Sequence, residues 1–364
     1  MTITLNQFDN YLQPKGPAAL VIREYLMPVE GNDAVFFPAT FADIDYNIDY
    51  ENQKEKSGRN IALIDSVGSQ ANRLEPLFTE DEYATLVPQI TITAGEKTVN
   101  LLDAGHRAGD AIARCSALKD DLHKAFTEVI KGNVQPLARL APTSLVFGVW
   151  DSRDTQAKLP RLISSTVRAY DVRKLTRSAT YLAPVDYAAE DIFSEEEKQK
   201  AEGDSKNPLS KRGFVNALAT GTHGGVIAEG GIRRDAVLSL SALKLLKADN
   251  NENTIKLQRY ILGLALVAFT RLPLGYYRQG TILVLDPDKR REFSEVALNG
   301  ARVAADILHQ DALTFAKAAA ADFVVEKGRN VDFDPEKARL DLKGKENKKG
   351  KKGRAGTGKV DGTE

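Results

Sequence analysis

The sequence is poor in the residues that most often carry metal or redox chemistry. Its 364 residues include one cysteine, Cys115, one tryptophan, Trp150, and four histidines. A single cysteine excludes a disulfide within the chain and a cysteine-based metal site, and it fits a reducing compartment, which we expect to be the cytoplasm. No two histidines have the i, i+4 spacing of a zinc-binding helix. We therefore expect neither a metal nor a cofactor.

A long apolar run is also missing. The longest, YILGLALVAF at residues 260–269, is flanked by Arg259 and Arg271 and is too short to cross a bilayer. We expect it to form a buried helix, and we expect no membrane partner. The N-terminal sequence MTITLNQFDNYLQPK lacks a basic start followed by an apolar segment and so does not predict a signal peptide.

The chain has no excess of charge of either sign, because fifty basic residues balance fifty acidic ones. Residues 343–364 carry eight of the basic and three of the acidic residues, which leaves 42 and 47 for residues 1–342. Any nucleic-acid surface on this body must therefore be a local cluster of cations. We predict that 343–364 is a disordered Lys/Gly-rich tail. Its GRAGTGK segment resembles a P-loop only in spacing, since Val360 replaces the required Ser or Thr.

Strand and helix patterns are interleaved without strict alternation, which predicts a mixed α+β fold. We expect one body over 1–342, with a charged excursion at 193–213 that we interpret as mobile. Runs rich in β-branched residues predict strands at 19–27, 60–65, 89–93, 97–102, 143–150, 165–172, 235–240 and 281–286. Periodicity predicts helices at about 107–130, at the apolar run, and at 292–308 and 312–325.

The first polar motif is IDSVGSQANRLEP, residues 64–76. Val67, Ala71 and Leu74 form an apolar stripe at helical spacing. The opposite face carries groups that hydrogen-bond phosphates, sugars or base edges, namely Ser69, Gln70, Asn72 and Arg73. The pattern alone favours a capped amphipathic helix with a solvated face.

The second motif, residues 143–172, runs from a predicted strand through Trp150 into a polar loop and a second strand. Cations interleaved with aromatic rings suit a single-stranded nucleic acid, because cations follow the backbone while rings stack on bases. An ordinary surface hairpin with Trp150 and Phe147 in the core fits equally well. The candidate binding residues are Arg153, Lys158, Arg161 and Arg168.

The third motif is THGGVIAEGGIRRDAVLSL, residues 222–240. Its glycine pairs permit positive φ, so backbone amides of Gly224 and Gly225 could face a phosphate, with Arg233 and Arg234 adding charge. The alternative is a glycine-turned hairpin with solvated arginines.

These three motifs together, in this order and at these separations, resemble the large RAMP-superfamily backbone subunit of type I-G (formerly I-U) CRISPR Cascade complexes. The resemblance covers roughly 17–325 and implies an RNA-recognition-motif-like (ferredoxin-like) palm with inserted finger and thumb elements. It implies a non-enzymatic subunit that oligomerises along a CRISPR RNA and presents the guide for pairing with target DNA beside other Cascade subunits. The lysine-rich tail is not part of the family pattern.

The resemblance also implies that Asn72 and Arg73 touch the guide's phosphates, with Ser69 and Gln70 beside them. If Arg73 has no buried partner and holds a phosphate, Arg73→Ala should weaken RNA binding without changing stability. If Arg73 is only solvated, the variant should change neither property, and if Arg73 forms a buried ion pair, the variant should destabilise the fold by about 3–5 kcal/mol. The second hypothesis is a RAMP-type endoribonuclease. Such an enzyme needs a general base and acid beside the RNA, for which His106 and His223 are candidates, or Asp65 or Asp151 if it uses a metal.

Overall fold

A computed structural model describes residues 4–41 and 45–343. In that part of the chain the fold is mixed α+β, as predicted, and is built around a curled antiparallel sheet. The strands are β1 (Ala19–Pro28), β2 (Thr40–Phe41), β3 (Asp45–Tyr46), β4 (Ile48–Asn52), β5 (Ser57–Asp65), β6 (Ile90–Ala94), β7 (Lys97–Asn100), β8 (Val149–Trp150), β9 (Lys158–Leu159), β10 (Ile163–Tyr170), β11 (Val172–Tyr181), β12 (Ala217–Ala228), β13 (Ile232–Ser239), β14 (Tyr276–Arg278), β15 (Thr281–Leu285), β16 (Glu292–Val296), β17 (Arg302–Ala304) and β18 (Arg329–Asp332).

The α-helices pack mainly over one face of this sheet. They are α1 (Val67–Leu74), α2 (Ala111–Arg114), α3 (Lys119–Ile130), α4 (Gln135–Leu140), α5 (Thr143–Phe147), α6 (Glu195–Ala201), α7 (Pro208–Lys211), α8 (Leu240–Leu243), α9 (Asn251–Thr270) and α10 (His309–Phe323). The predicted buried helix is confirmed as part of α9. None of the described helices combines the length and apolarity needed to cross a membrane.

The main sheet has nine strands, with β14-β15-β1-β13-β10-β5-β4 in order and the β16–β17 hairpin attached to β1. β1 shares one edge between two partners: Ala19–Arg23 pair with β16, and Leu26–Pro28 pair with β15. All pairings within this sheet are antiparallel.

Alternation along the central strands separates a covered face from an open face. In β1, Leu20, Ile22, Glu24 and Leu26 are buried while the residues between them are half-buried. The covered face joins a core formed largely by α9 and α10. These helices approach closely, because a Cβ on Gly263 would lie 2.8 Å from Ala316 Cα.

The predicted strand at 143–150 is mostly wrong. Residues Thr143–Phe147 form α5, and only Val149–Trp150 are extended. All five residues of α5 are buried. A short segment that is buried on every side shows no alternation of polar and apolar residues, so its sequence does not distinguish a helix from a strand. Gly148, at φ 80°, provides the turn between α5 and β8.

The predicted helix at 292–308 is also wrong. The segment forms the β16–β17 hairpin, which turns near Gly300 (φ 86°) and pairs with the edge of β1. The long helix predicted at 107–130 is interrupted twice. Residues 107–109 form a single 3-10 turn that ends at extended Asp110, and after α2 the helical conformation resumes only at Lys119 as α3. The helix predicted at 312–325 is confirmed as α10.

A two-stranded arm, β11–β12, leaves the main sheet, and residues 182–216 lie at its tip. Most of β11 is exposed. The charged excursion at 193–213 belongs to this tip and contains α6 and α7, with a capping box between Ser194 and Glu197. Its mobility stays a prediction, and the tail beyond residue 343 lies outside the described residues.

Candidate nucleic-acid interface

The first polar motif forms α1, which begins directly after β5. The Ser66 side chain caps the helix by accepting a hydrogen bond from the Ser69 amide. The chain turns here because β5 ends at Asp65, whose carboxylate is 1% exposed and faces the start of the helix. A capped helix is confirmed at this position.

The polar face of α1 is largely folded back onto Asp65 rather than solvated. The carboxylate accepts hydrogen bonds from Ser69 Oγ at 2.6 Å, Gln70 Nε2 at 2.6 Å and Arg73 Nε at 3.0 Å. Gln70 is buried and also accepts a hydrogen bond from Ser165. The interpretation of Gln70 as a displayed polar group is therefore wrong.

Arg73 has a buried partner, Asp65. The prediction that Arg73→Ala leaves stability unchanged assumed that no such partner exists. Besides the bond to Asp65, its Nη2 donates to the Tyr277 carbonyl at 2.6 Å, and the guanidinium lies 5.2 Å from the Tyr277 ring centroid. The side chain is 35% exposed. Any RNA contact made by Arg73 uses this remaining surface, and such a contact stays a prediction.

Asn72 is exposed and connects α1 to a second set of residues. Its Oδ1 accepts a hydrogen bond from Arg107 Nη2 at 3.3 Å. Arg107, at φ 54°, is buried, and its Nε lies 2.5 Å from a carboxylate oxygen of Glu75. Burial raises the pKa of Glu75 to about 7 although Arg107 opposes the rise. Burial also lowers the pKa of Arg107, although Glu75 opposes that change.

Beyond Arg107 lies an open cavity with a volume of about 640 Å³, which we call the basic groove. It contains five cationic side chains and no carboxylate among its lining residues: Gly105, His106, Arg107, Gly109, Ala111, Arg114, Gly148, Val149, Trp150, Ser152, Arg153, Lys158, Leu159, Pro160 and Arg161. Arg107 and Arg114 are paired with Glu75 and Asp341, which lie outside the lining. Arg153, Lys158 and Arg161 are exposed and form no ion pair with any described residue.

The second motif thus supplies one side of the groove. Trp150 is 55% exposed, and Lys158 Nζ lies 5.6 Å from its ring centroid. Phe147, by contrast, is fully buried in the core. The loop between β8 and β9 is held by buried Asp151, which accepts hydrogen bonds from the Thr155 amide and hydroxyl at 2.8 and 2.7 Å. An exposed ring therefore lies among cations on a braced loop.

The structure does not bring Arg168 and Arg233 into the basic groove. They are register partners on β10 and β13, on the open face of the sheet. Arg234 points to the covered face, is 2% exposed, and donates through Nε to Glu24 at 2.6 Å. Burial raises the pKa of Glu24, but Arg234 and Arg291 together lower it below its ordinary value. The expectation that Arg234 supplies surface charge is wrong.

Gly224 and Gly225 do not form an anion cradle. The Gly225 amide donates to the Tyr46 hydroxyl at 3.1 Å, and the residue is buried. A Cβ on Gly224 would lie 2.6 Å from the Thr176 carbonyl carbon. Both glycines thus permit close packing within the arm and against its base, whereas Gly231, at φ 82°, serves the predicted hairpin turn.

Sequence reasoning missed Arg107, Arg114 and Glu75. Arg107 and Arg114 lay inside the predicted continuous helix, where nothing distinguished them from solvated arginines. The breaks around Asp110 and Cys115 bring them to the groove. A positive φ is usually indicated by glycine or asparagine, and Arg107 is neither, so its backbone conformation could not be predicted from the sequence.

The candidate catalytic residues are dispersed. His106 lies at the groove, with Nδ1 3.6 Å from Asp110, whereas His223 pairs with Asp45 at the base of the arm. Asp65 and Asp151 are engaged in the hydrogen bonds given above. Within residues 4–41 and 45–343, no three His, Cys, Asp or Glu side chains cluster in a way that could hold a metal ion.

The fold and this surface define an α+β protein with a curled antiparallel sheet and a carboxylate-free basic groove beside its first helix. The family model described as CRISPR-associated protein GSU0053 (Cas_GSU0053) matches residues 20–174, which include all of β1 but its first residue, α1 and the whole groove. The match supports a CRISPR-associated protein with a role in CRISPR defence. No curated protein matches the chain.

Proposed function

We propose that this protein is the guide-RNA-binding backbone subunit of a type I CRISPR effector complex, of the I-G class. The observation that carries the proposal is the basic groove: five cations, an exposed tryptophan and no carboxylate among the lining residues of a chain without net charge. The family match and the resemblance of the three motifs support the CRISPR assignment.

In this proposal the groove holds the guide through its backbone. Arg153, Lys158 and Arg161 contact phosphates, which position a strand without reading its sequence. Trp150 stacks on a base, a contact worth about 1–3 kcal/mol. Asn72 extends the RNA-binding surface from the groove to α1, where Ser69 and the exposed part of Arg73 add further contacts to the guide.

The strand order supports an RNA-recognition-motif-like palm. In the order β15-β1-β13-β10, helix α1 lies between β1 and β10 along the chain, and α9 lies between β13 and β15. This order is the one expected of a ferredoxin-like unit, with β5 and β4 beyond β10 and β14 beyond β15 as added strands. The β11–β12 arm and its tip are candidates for the finger or thumb.

As a backbone subunit, the protein binds CRISPR RNA and copies of itself, meets target DNA through guide pairing, and contacts other Cascade subunits in the cytoplasm. It acts without a catalytic activity of its own. Only a narrow basic surface is needed for this, which fits the slight excess of acids in residues 1–342.

The test is titration of labelled CRISPR RNA with the wild-type chain and with Arg153→Gln, Lys158→Gln and Arg161→Gln. Each variant should bind more weakly, and loss of one phosphate contact should flatten the logarithmic salt slope by about 0.7. Arg302→Gln, an exposed arginine on β17, is the matched control and should bind like wild type. Equal affinity in all four variants would overturn the proposal.

The endoribonuclease remains the second candidate because His106 lies in the groove and is 87% exposed. Incubation with labelled repeat RNA, with and without magnesium, separates the two functions. Discrete cleavage that His106→Ala abolishes would replace the backbone assignment, whereas protection of intact RNA supports it.

A further inference from the structure

The open face of the main sheet carries a row of rings and cations that the groove does not use. Tyr25, Arg233 and Arg168 are successive register partners across β1, β13 and β10, and Tyr170 follows two positions after Arg168. All four are half-buried. Because no described helix packs over them, they remain accessible on the face opposite α1 and α9.

Both rings on this face have a cation beside them. The Arg233 guanidinium lies 4.8 Å from the Tyr170 ring centroid, and its Nη2 donates to the Tyr170 hydroxyl at 2.8 Å. Lys289 Nζ lies 5.6 Å from the centroid of Tyr25 and 3.3 Å from Asp286 Oδ2, and its side chain is 49% exposed. These distances are within the range of cation–π attraction, which holds the side chains in place before any ligand arrives.

Two carboxylates lie beside this row and order its side chains. Glu292 Oε2 lies 3.5 Å from Arg23 Nη1, and its Oε1 accepts a hydrogen bond from the Tyr25 hydroxyl at 3.4 Å. Asp235 lies between Arg23 and Arg233 and accepts from their Nε atoms at 3.3 and 2.9 Å. Arg168 donates instead to the neutral Thr166 hydroxyl at 2.6 Å. Each guanidinium thus keeps donors free while its orientation is fixed.

We propose that this open face binds a second single-stranded nucleic acid, separate from the strand in the basic groove. The inference goes beyond the proposed function, because it assigns Arg168, Arg233, Tyr170 and Tyr25 to a site of their own. Unpaired bases stack on the tyrosine rings, and phosphates meet Arg23, Arg168 and Lys289. A strand bound to such a site is recognised by stacking and charge with little dependence on sequence.

The position of the row supports two separate sites. Arg161 precedes β10, and Arg168 lies seven residues further along, a separation of about 23 Å in an extended strand. Arg168 also projects from the face opposite to the one that α1 covers. The exposed apolar residues of the open face are aliphatic side chains in small pairs: Val237 lies opposite half-buried Val21, and Ile282 and Val284 project together from β15. The paired rings and cations are more characteristic of a nucleic-acid surface than of a protein contact.

The experiment uses the full chain with its groove saturated by guide RNA, to which a bromouridine RNA strand or a bromodeoxyuridine DNA strand is added. Photo-crosslinking should attach the added strand to peptides containing Tyr25 or Tyr170. The stronger of the two signals identifies RNA or DNA as the ligand. A blunt duplex without unpaired bases should crosslink weakly.

Tyr170→Leu and Tyr25→Leu should each lower affinity for the added strand at least about fivefold, equivalent to about 1 kcal/mol. Tyr170→Phe keeps the ring and should retain affinity, which separates stacking from a structural role of the hydroxyl. Trp150→Ala, a groove variant, should bind guide RNA more weakly; once a higher guide concentration saturates its groove, it should bind the second strand with unchanged affinity. Failure of the groove assignment therefore leaves this test intact.

Three results would overturn the inference. Crosslinks confined to groove peptides would place the added strand there. Equal affinity of Tyr170→Leu and wild type, with matching melting curves, would remove stacking from the open face. Protein–protein crosslinks at Tyr25 or Tyr170 in place of nucleic-acid crosslinks would assign the face to a neighbouring chain.

Discussion

The contact between Arg73 and buried Asp65 predicts a specific pattern of stability. Breaking a buried ion pair from one side typically costs about 3–5 kcal/mol, because the remaining charge has no partner. Here Asp65 keeps the hydrogen bonds from Ser69 and Gln70, and Arg278 Nη2 lies 3.9 Å away. We therefore expect Arg73→Ala to lower the free energy of unfolding by about 3 kcal/mol, at the low end of that range.

Two further variants identify the cause. Arg73→Lys keeps the charge but cannot bind Asp65 and the Tyr277 carbonyl together, so we expect a loss of about 1–2 kcal/mol. Asp65→Asn introduced into Arg73→Ala removes the unpaired charge, and this double variant should be more stable than Arg73→Ala alone. A double-mutant cycle gives the coupling energy directly.

The assay is urea unfolding followed by circular dichroism and by fluorescence of the single tryptophan, Trp150. RNA affinity is measured in parallel on protein that remains folded at low temperature. An Arg73→Ala protein within about 0.5 kcal/mol of wild type would show that the ion pair contributes little. Failure of Asp65→Asn to restore stability would show that the cost does not come from the unpaired carboxylate.

Three other substitutions have defined outcomes. Gly263→Ala should lower the melting temperature measured by calorimetry, because the added Cβ meets Ala316 Cα at 2.8 Å and outweighs alanine's helix preference of about 1 kcal/mol. Ser66→Ala should cost about 1 kcal/mol in urea unfolding through loss of the α1 cap, and an unchanged midpoint would contradict the role of the cap. For Glu75, the folded-state pKa of about 7 exceeds the ordinary 4.5, so the native state binds the extra proton and stability falls as pH rises between these values. Glu75→Gln should remove that part of the pH dependence, and identical pH profiles for the two proteins would refute the assignment.

The strands were largely predictable because their signal is local. β1, β5, β6, β10, β13 and β15 each coincide with a run rich in β-branched residues bounded by turn residues. The 292–308 segment shows the limit of this reasoning. Its extended conformation depends on pairing with β1, and that partner lies more than 250 residues away in the sequence.

The candidate site was predictable where residues that are close in the sequence are also close in space. Arg153, Lys158 and Arg161 cluster in the sequence and also in space, around the same loop. Arg233 and Arg234 are neighbours in the sequence, yet strand alternation sends one to the open face and the other into the core. Which of two adjacent arginines faces solvent depends on the register of the whole sheet, and the local sequence does not specify that register.

The shared edge of β1 has a consequence for synthesis of the chain. All three of its partners, β13, β15 and β16, lie C-terminal to residue 231. At typical translation rates of about 5–20 residues per second, roughly 10–40 s pass between emergence of β1 and emergence of its first partner. During that interval a strand with alternating apolar residues has neither edge paired, and such strands favour aggregation. Ribosome-bound chains that stop before β13 should therefore depend on chaperones, whereas chains extended past Val296 contain every partner of β1.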